Sequence, residues 1–158
     1  MLASGRMQWS FALIGAALAL ARLSAPAYAD DAAYCSAGGR HNAAAPAPAS
    51  LESAIAGAFQ VSPDVVHGGA YVRCRQGKLI ACIVGANLVC GKADARRRLA
   101  GASAFCAQNP DAESVPMVAT GHATIYDWSC KGTTAGAGKV LMTVDPQGYI
   151  ADNWKEIH

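Results

Sequence analysis

The 158-residue chain lacks several features that would assign it to a class of protein. Its formal net charge is only +2, from 13 basic and 11 acidic residues, so it lacks the positive excess that nucleic-acid binders carry. The apolar run from Phe11 to Ala21 is 11 residues long, whereas a membrane-spanning helix needs about 20. We therefore predict neither a nucleic-acid partner nor a membrane-spanning helix.

Motifs for metals, haem and catalysis are also absent. No Cys-x-x-Cys pair is present, which argues against zinc ribbons, thioredoxin-like redox sites and haem attachment, and no His-x-x-x-His pair suggests a metal site. No Gly-x-Ser-x-Gly elbow is present. The Gly-rich segment from Gly132 to Gly138 is followed by Lys139-Val140 and not by the Lys-Ser/Thr of a phosphate loop, so we predict a mobile hairpin loop there. We therefore expect no metal and no cofactor.

The first 29 residues have the organisation of a secretory signal peptide. Arg6 precedes the short apolar run, Pro26 breaks the helix, and Ala27-Tyr28-Ala29 offers small side chains at the two positions that must fit the signal peptidase, which predicts cleavage after Ala29. Cleavage there removes two basic residues and no acidic one, which leaves the mature chain without formal net charge. We expect a periplasmic or secreted protein with no membrane span after cleavage.

The six cysteines all follow the predicted cleavage site. An even number in an exported chain indicates disulfides, because exported thiols are not kept reduced. Sequence alone leaves the pairing open. A hairpin loop at residues 85–87 would bring Cys82 opposite Cys90. Pairing of Cys90 with Cys106 would need a shorter intervening helix than the one predicted below, which separates its ends by about 22 Å. The cysteines are Cys35, Cys74, Cys82, Cys90, Cys106 and Cys130.

Apolar spacing predicts one small domain. Residues 30–50 are rich in Ala, Pro and Gly and have no apolar period, so we predict a flexible linker, followed by a disulfide-stabilised domain over residues 51–158. Leu51, Ile55 and Phe59 recur at the spacing of a short helix, and residues 92–108 carry the pattern of the one main helix. Strands are predicted at 71–75, 78–84, 123–130, 139–144 and 149–151.

The predicted elements are joined by recognisable turns. Gln76-Gly77 separates the first two strands, and the segment from Asp145 to Gly148 has the residues of a type I turn. Hairpins joined in this way build antiparallel sheets. The sequence therefore predicts an α+β fold, a small antiparallel sheet with one main helix, cross-linked by disulfides.

Charge is unevenly distributed along the chain. Residues 71–98 hold seven basic side chains against Asp94 alone, whereas the part after Asn109 has more acidic than basic residues. One hypothesis is a face that binds an anionic envelope polymer or an acidic partner protein, because guanidinium groups pair with phosphate and carboxylate. The alternative is that the basic part pairs internally with the acidic C-terminal part. The candidate binding residues are Arg73, Arg75, Arg96, Arg97 and Arg98.

Evidence for catalysis in the sequence is slight. His122 follows a glycine, as histidines in binding loops often do, and is the first choice for a general base, against the alternative of a loop histidine without a role. Asp127 with Asp145 or Asp152 would supply the two carboxylates of a glycoside hydrolase. The two-residue spacing of Tyr126 and Trp128 suits either a sugar-stacking platform or a buried aromatic core.

Three stretches of the chain resemble small exported Gram-negative proteins of unknown function. The likeness extends from Tyr71 to Ile157 and implies export to the periplasm, but it brings no active site. The stretches are Val72-Arg73-Cys74 with Val84-Gly85-Ala86-Asn87-Leu88 and Cys90-Gly91-Lys92, then Ile125-Tyr126-Asp127-Trp128-Ser129-Cys130, and then Gln147-Gly148-Tyr149-Ile150 with Asn153-Trp154. The leading expectation is an exported binding module, and the alternatives are a small envelope hydrolase that uses His122 or Asp127 and an inhibitor of a hydrolase.

Overall fold

The structure, a computed structural model, describes residues 31–36 and 42–158. The predicted signal peptide, residues 1–29, lies outside the described residues. The helices are α1 (Asp31–Ser36), α2 (Glu52–Phe59), α3 (Pro63–Val66), α4 (Ala100–Gln108) and α5 (Met117–Thr120), with 3₁₀ turns at Ala49–Leu51 and Ala151–Asn153. The strands are β1 (Ala45–Pro46), β2 (Ala70–Arg75), β3 (Lys78–Ile83), β4 (Tyr126–Lys131), β5 (Thr134–Val140) and β6 (Lys155–Glu156). This architecture confirms the α+β prediction.

The larger sheet has the strand order β1-β2-β3-β6, and all its pairs are antiparallel. Its centre is the predicted hairpin, in which Arg75 pairs with Lys78 across a two-residue turn. Gln76 and Gly77 both have positive φ, at 54° and 78°, as a type I′ turn requires. The predicted hairpin is thus confirmed, with its turn at Gln76-Gly77.

Part of the predicted linker belongs to this sheet. Ala45–Pro46 pairs with Tyr71 and Val72 of β2, and the Ala47 N–H donates to the Ala70 carbonyl at 2.9 Å. Pro46 fits there because β1 is an edge strand, where a missing N–H donor is tolerated. Residues 42–50 therefore differ from the free linker that the composition predicts.

The smaller sheet consists of β4 and β5, and it overturns the prediction of a mobile Gly-rich loop. The turn occupies only Gly132-Thr133, since Lys131 already pairs with Thr134. Ala135 and Ala137 pack against the cluster that includes α4. Their small side chains let this strand approach the helix closely, which periodicity does not reveal. Of the strand predicted at residues 139–144, only Lys139 and Val140 lie in β5.

The main helix is shorter than predicted, because α4 begins at Ala100 and not at Lys92. The preceding residues pair with distant segments: Lys92 bridges to Tyr149, and Asp94 bridges to Thr124. These bridges use backbone groups that a helix would need. The same shortening leaves Gly101 in the first turn of α4, where an added Cβ would lie 2.1 Å from the Ala119 carbonyl oxygen.

Three small apolar clusters stabilise the fold. The first joins α2 and α3 to one face of the larger sheet, the second packs α4 against β4 and β5, and the third groups Ile80 with Tyr149 and Trp154. Among the described residues, no helix is long and apolar enough to cross a membrane.

All six cysteines are paired, as predicted for an oxidising compartment. The pairing of Cys82 with Cys90 is confirmed, and Cys90 does not pair with Cys106, the alternative that the length of the predicted helix disfavoured. The other two disulfides attach α1 to β2 and α4 to β4. The bonded pairs are Cys35–Cys74, Cys82–Cys90 and Cys106–Cys130.

Candidate functional site

Arg73 does not lie on an exposed basic face. Its side chain is 0% exposed, and its guanidinium donates to Asp145 Oδ2 at 2.5 Å and to the side-chain oxygen of Gln147. The guanidinium carbon also lies 4.2 Å from the ring centroid of Tyr149 and 4.3 Å from that of Trp154. Arg73 is therefore a structural cation that joins β2 to the C-terminal segment, and its prediction as a surface binding residue is corrected.

The partner of Arg73 is held equally firmly. Asp145 Oδ1 accepts the backbone N–H groups of Gln147 and Tyr149, both at 3.0 Å, which fixes the predicted turn. Burial alone would raise the pKa of Asp145. The hydrogen bonds from the Tyr149 backbone and from Arg73 outweigh that effect, so the pKa lies below its ordinary value. Asp145 is thus a buried anion in the structural core.

A second pair links the basic part of the chain to the acidic C-terminal part. Lys78 Nζ lies 2.8 Å from Glu156 Oε2, and this hydrogen bond lowers the pKa of Glu156. Half-buried Arg75 is near the same carboxylate and lowers its pKa further. The alternative of internal charge pairing therefore holds at both Arg73 and Lys78.

The exposed positive charge is concentrated at Arg96, Arg97 and Arg98, just before α4. Arg96 is bound to Asp94 through two guanidinium contacts of 2.9 and 2.6 Å, and these lower the pKa of Asp94. Arg97 lies over the ring of Tyr126, 4.5 Å from its centroid, and donates to the Ala137 carbonyl at 3.3 Å. Arg98 makes no hydrogen bond or ion pair within the part of the chain that the structure describes. Arg97 and Arg98 therefore carry charge that no described carboxylate offsets.

A cleft of about 450 Å³ opens beside Tyr126. Its floor is β4, and its two sides are the segments 113–120 and 138–142. The first of these segments runs along the edge of β4, since the Val115 N–H donates to the Trp128 carbonyl at 2.8 Å. Trp128 packs in the cluster of α4, whereas exposed Ser129 points away from it, and Asp127 lies where the pairing of β4 with β5 shifts its register, against Gly138. The cleft thus occupies the face of β4 that α4 does not cover.

Asp127 is half-buried in this cleft and packs against a glycine. A Cβ at Gly138 would meet Asp127 Oδ1, so glycine at this position lets the carboxylate lie close against β5. That oxygen is buried and has no hydrogen-bond partner among the described residues. Glu113 is exposed and lines the same cleft. The structure therefore brings together two carboxylates that do not pair with a described cation.

The walls of the cleft are largely apolar. Met117 is 45% exposed and Leu141 57% exposed, and Met142 lies beside Leu141 in the lining. Val118 and Val140, next to the cleft in sequence, are also exposed. An exposed apolar group of this kind marks a contact surface more often than an isolated apolar residue does.

The aromatic residues at the cleft have other partners. Trp128 is 4% exposed, and its indole Nε1 donates to Thr124 Oγ1 at 2.9 Å. Arg97 already lies over the Tyr126 ring. The arrangement supports the buried aromatic core and leaves no open platform of both rings for sugar stacking.

The predicted catalytic residues are not assembled into one centre. Asp127 lines the cleft, but neither His122 nor Asp145 or Asp152 does, and Asp145 is bound to Arg73. His122 Nδ1 is buried without a hydrogen-bond partner in the described ranges. Glu113 was missed because it lies in an irregular segment with no motif around it.

Neither a metal-binding group within the described residues nor a match to another protein adds to this geometry. Over the described ranges, no group of three or more His, Cys, Asp or Glu is arranged to hold a metal ion. Comparison of the chain with protein-family models, with curated proteins and with solved structures finds no match.

Proposed function

We propose that this protein is a periplasmic or secreted binding module that recognises an anionic envelope polymer or an acidic partner protein. Arg97 and Arg98 are the residues that make the contact. The proposal includes cleavage of residues 1–29 as a signal peptide and membership among the small exported Gram-negative proteins that the sequence resembles. The three disulfides support the oxidising compartment that it requires.

The position of Arg97 is the observation that carries this proposal. Its guanidinium is held by the Tyr126 ring and by the Ala137 carbonyl, so it loses less freedom on binding than an unrestrained side chain does. A guanidinium has five N–H donors, and one contact to Ala137 leaves most of them for a phosphate or carboxylate. Exposed Arg98 follows directly, whereas the charge of Arg96 is offset by Asp94.

Charge reversal of this pair tests the proposal. Titration of the oxidised protein with a phosphorylated polysaccharide, at about 0.05 M and about 0.3 M salt, measures the affinity and its screening. We expect R97E/R98E to weaken binding about tenfold or more, since each charge-assisted hydrogen bond contributes about 1.5–3 kcal/mol.

The matched control is K131E/K155E, which makes the same change in net charge at two exposed lysines elsewhere on the surface. It should bind as the unmodified protein does. Equal binding by R97E/R98E and the unmodified protein would contradict the proposal. Affinity capture from an envelope extract then identifies the natural partner, and a captured hydrolase that loses activity would make this protein an inhibitor.

The hydrolase hypothesis retains one supporting observation, since Asp127 shares a cleft with Glu113. We favour binding over turnover because His122 lies outside the cleft lining. Turnover of wall fragments that is lost in D127N would establish the hydrolase instead, and activity that survives both D127N and H122A would remove these residues from it.

A further inference from the structure

We propose that the cleft on the open face of β4 binds a lysine side chain of a partner protein, with the ammonium group at Asp127 and Glu113 and the aliphatic stem against Met117 and Leu141. Arg97 and Arg98 do not line this cleft, although Arg97 adjoins it over Tyr126, and the inference does not depend on the function proposed for them. The cleft takes a cation, whereas they take an anion.

Charge complementarity indicates the chemistry of the ligand. Asp127 and Glu113 both line the cleft, and neither forms an ion pair with a described Lys or Arg. The carboxylate of Asp127 is half-buried and has lost part of its hydration, and no described side chain or backbone N–H donates to either of its oxygens. A half-buried anion without a counter-charge is costly, and an arriving cation offsets that cost.

The apolar walls select among cations. Met117 and Leu141 are about half exposed and line the same cleft as the carboxylates, so a ligand that buries only a charge would leave them in water. Lysine combines a four-carbon stem with a terminal ammonium, and such side chains lay their stem on apolar surface while the charge reaches a polar group. A volume of about 450 Å³ accommodates that side chain.

The same geometry disfavours a carbohydrate. Sugar rings stack on open aromatic faces, but Trp128 is buried and Tyr126 is covered by Arg97. Methionine walls, by contrast, suit a flexible aliphatic chain because the thioether side chain adapts its shape.

Binding of short peptides to the full oxidised chain tests this site. The probe is an acetylated, amidated alanine peptide with one central lysine, and the comparison peptide has norleucine, which keeps the stem and removes the charge. We expect the lysine peptide to shift the methyl resonances of Met117 and Leu141 and to bind at least ten times more tightly than the norleucine peptide.

Two variants separate the charge from the walls. D127N preserves the shape of the side chain and should weaken binding of the lysine peptide about tenfold. L141S changes an exposed apolar wall and should weaken binding of both peptides. The matched control D152N removes a carboxylate from an exposed position outside the cleft and should bind as the unmodified protein does. Thermal unfolding of each variant establishes that it is folded.

Four outcomes would overturn the inference. Equal affinity for the lysine and norleucine peptides would show an apolar groove without cation recognition. Equal lysine binding by D127N and D152N would remove Asp127 from the site. Absence of binding by both peptides at millimolar concentration would show that the cleft is not a lysine site. Cleavage of a peptide probe by the unmodified protein, lost in D127N, would show the same. None of these results bears on R97E/R98E.

Discussion

Replacing Asp145 by asparagine removes the carboxylate that faces the buried guanidinium of Arg73. The side chains of this pair are 0% and 4% exposed, so water cannot substitute for the lost charge. The asparagine oxygen can still accept the backbone N–H groups that hold the turn. The perturbation therefore keeps the acceptor of the turn, while it removes the charge and replaces the Oδ2 that accepts from Arg73 by an amide NH2 group.

The size of the effect follows from what remains around Arg73. Removing one partner of a buried ion pair costs about 3–5 kcal/mol, because an uncompensated charge stays buried. The rings of Tyr149 and Trp154 and the side-chain oxygen of Gln147 still contact the guanidinium and reduce that cost. We expect the free energy of unfolding to fall by about 3 kcal/mol, a large part of the roughly 5–15 kcal/mol of a small domain.

Urea unfolding of the oxidised protein measures this loss. D152N is the control for the change in charge, and it should stay within about 0.5 kcal/mol of the unmodified protein because Asp152 is exposed. R73M/D145N removes both charges and should lose less than the sum of the two single variants, with a coupling energy of about 1–3 kcal/mol. A D145N protein as stable as D152N would refute the reasoning.

Acid provides an independent check on the same pair. Since the pKa of Asp145 is depressed in the folded protein, the unfolded chain binds its proton first as pH falls. The contribution of the pair to stability is therefore complete above the ordinary pKa of about 3.9 and is lost as pH falls through the lower folded value. The difference in unfolding free energy between the unmodified protein and D145N should shrink from pH 7 to pH 3. A constant difference would contradict this assignment.

Two further predictions concern the packing and the disulfides. G101A should destabilise the protein by about 1–3 kcal/mol in thermal unfolding, because its Cβ meets the Ala119 backbone, whereas G57A, in open space on α2, should stabilise it by about 0.4–1 kcal/mol. Equal changes in stability for G101A and G57A would show that α4 shifts to make room for the added Cβ at residue 101. Replacing Cys35 and Cys74 by serine should lower the free energy of unfolding by about 1.4 kcal/mol more than replacing Cys82 and Cys90, because the first disulfide closes the longer loop in the unfolded chain. The sequence separations are 39 and 8. The reverse order in urea unfolding would contradict the chain-entropy argument.

Local chemistry explains which elements the sequence predicts correctly. The β2–β3 hairpin depends on Gly77, which adopts the positive φ of its turn without strain, and on the apolar residues that flank the turn in both strands. The turn from Asp145 to Gly148 likewise uses interactions within four residues. The prediction is wrong where contacts with residues far along the chain decide the local structure. Lys92 and Asp94 pair with strand-like segments far along the chain, and so the main helix begins eight residues late.

The sequence by itself determined the α+β class, the use of disulfides and the uneven distribution of charge, because composition and short-range patterns express these properties. The tertiary structure alone decided which charges are available to a ligand. Arg73 and Arg97 belong to the same basic stretch of sequence, but one is enclosed with Asp145, 72 residues away, and the other remains exposed over Tyr126. The cleft of Asp127 likewise exists only because separate segments meet at one strand face. Burial and charge pairing are properties of these distant contacts, which no local pattern encodes.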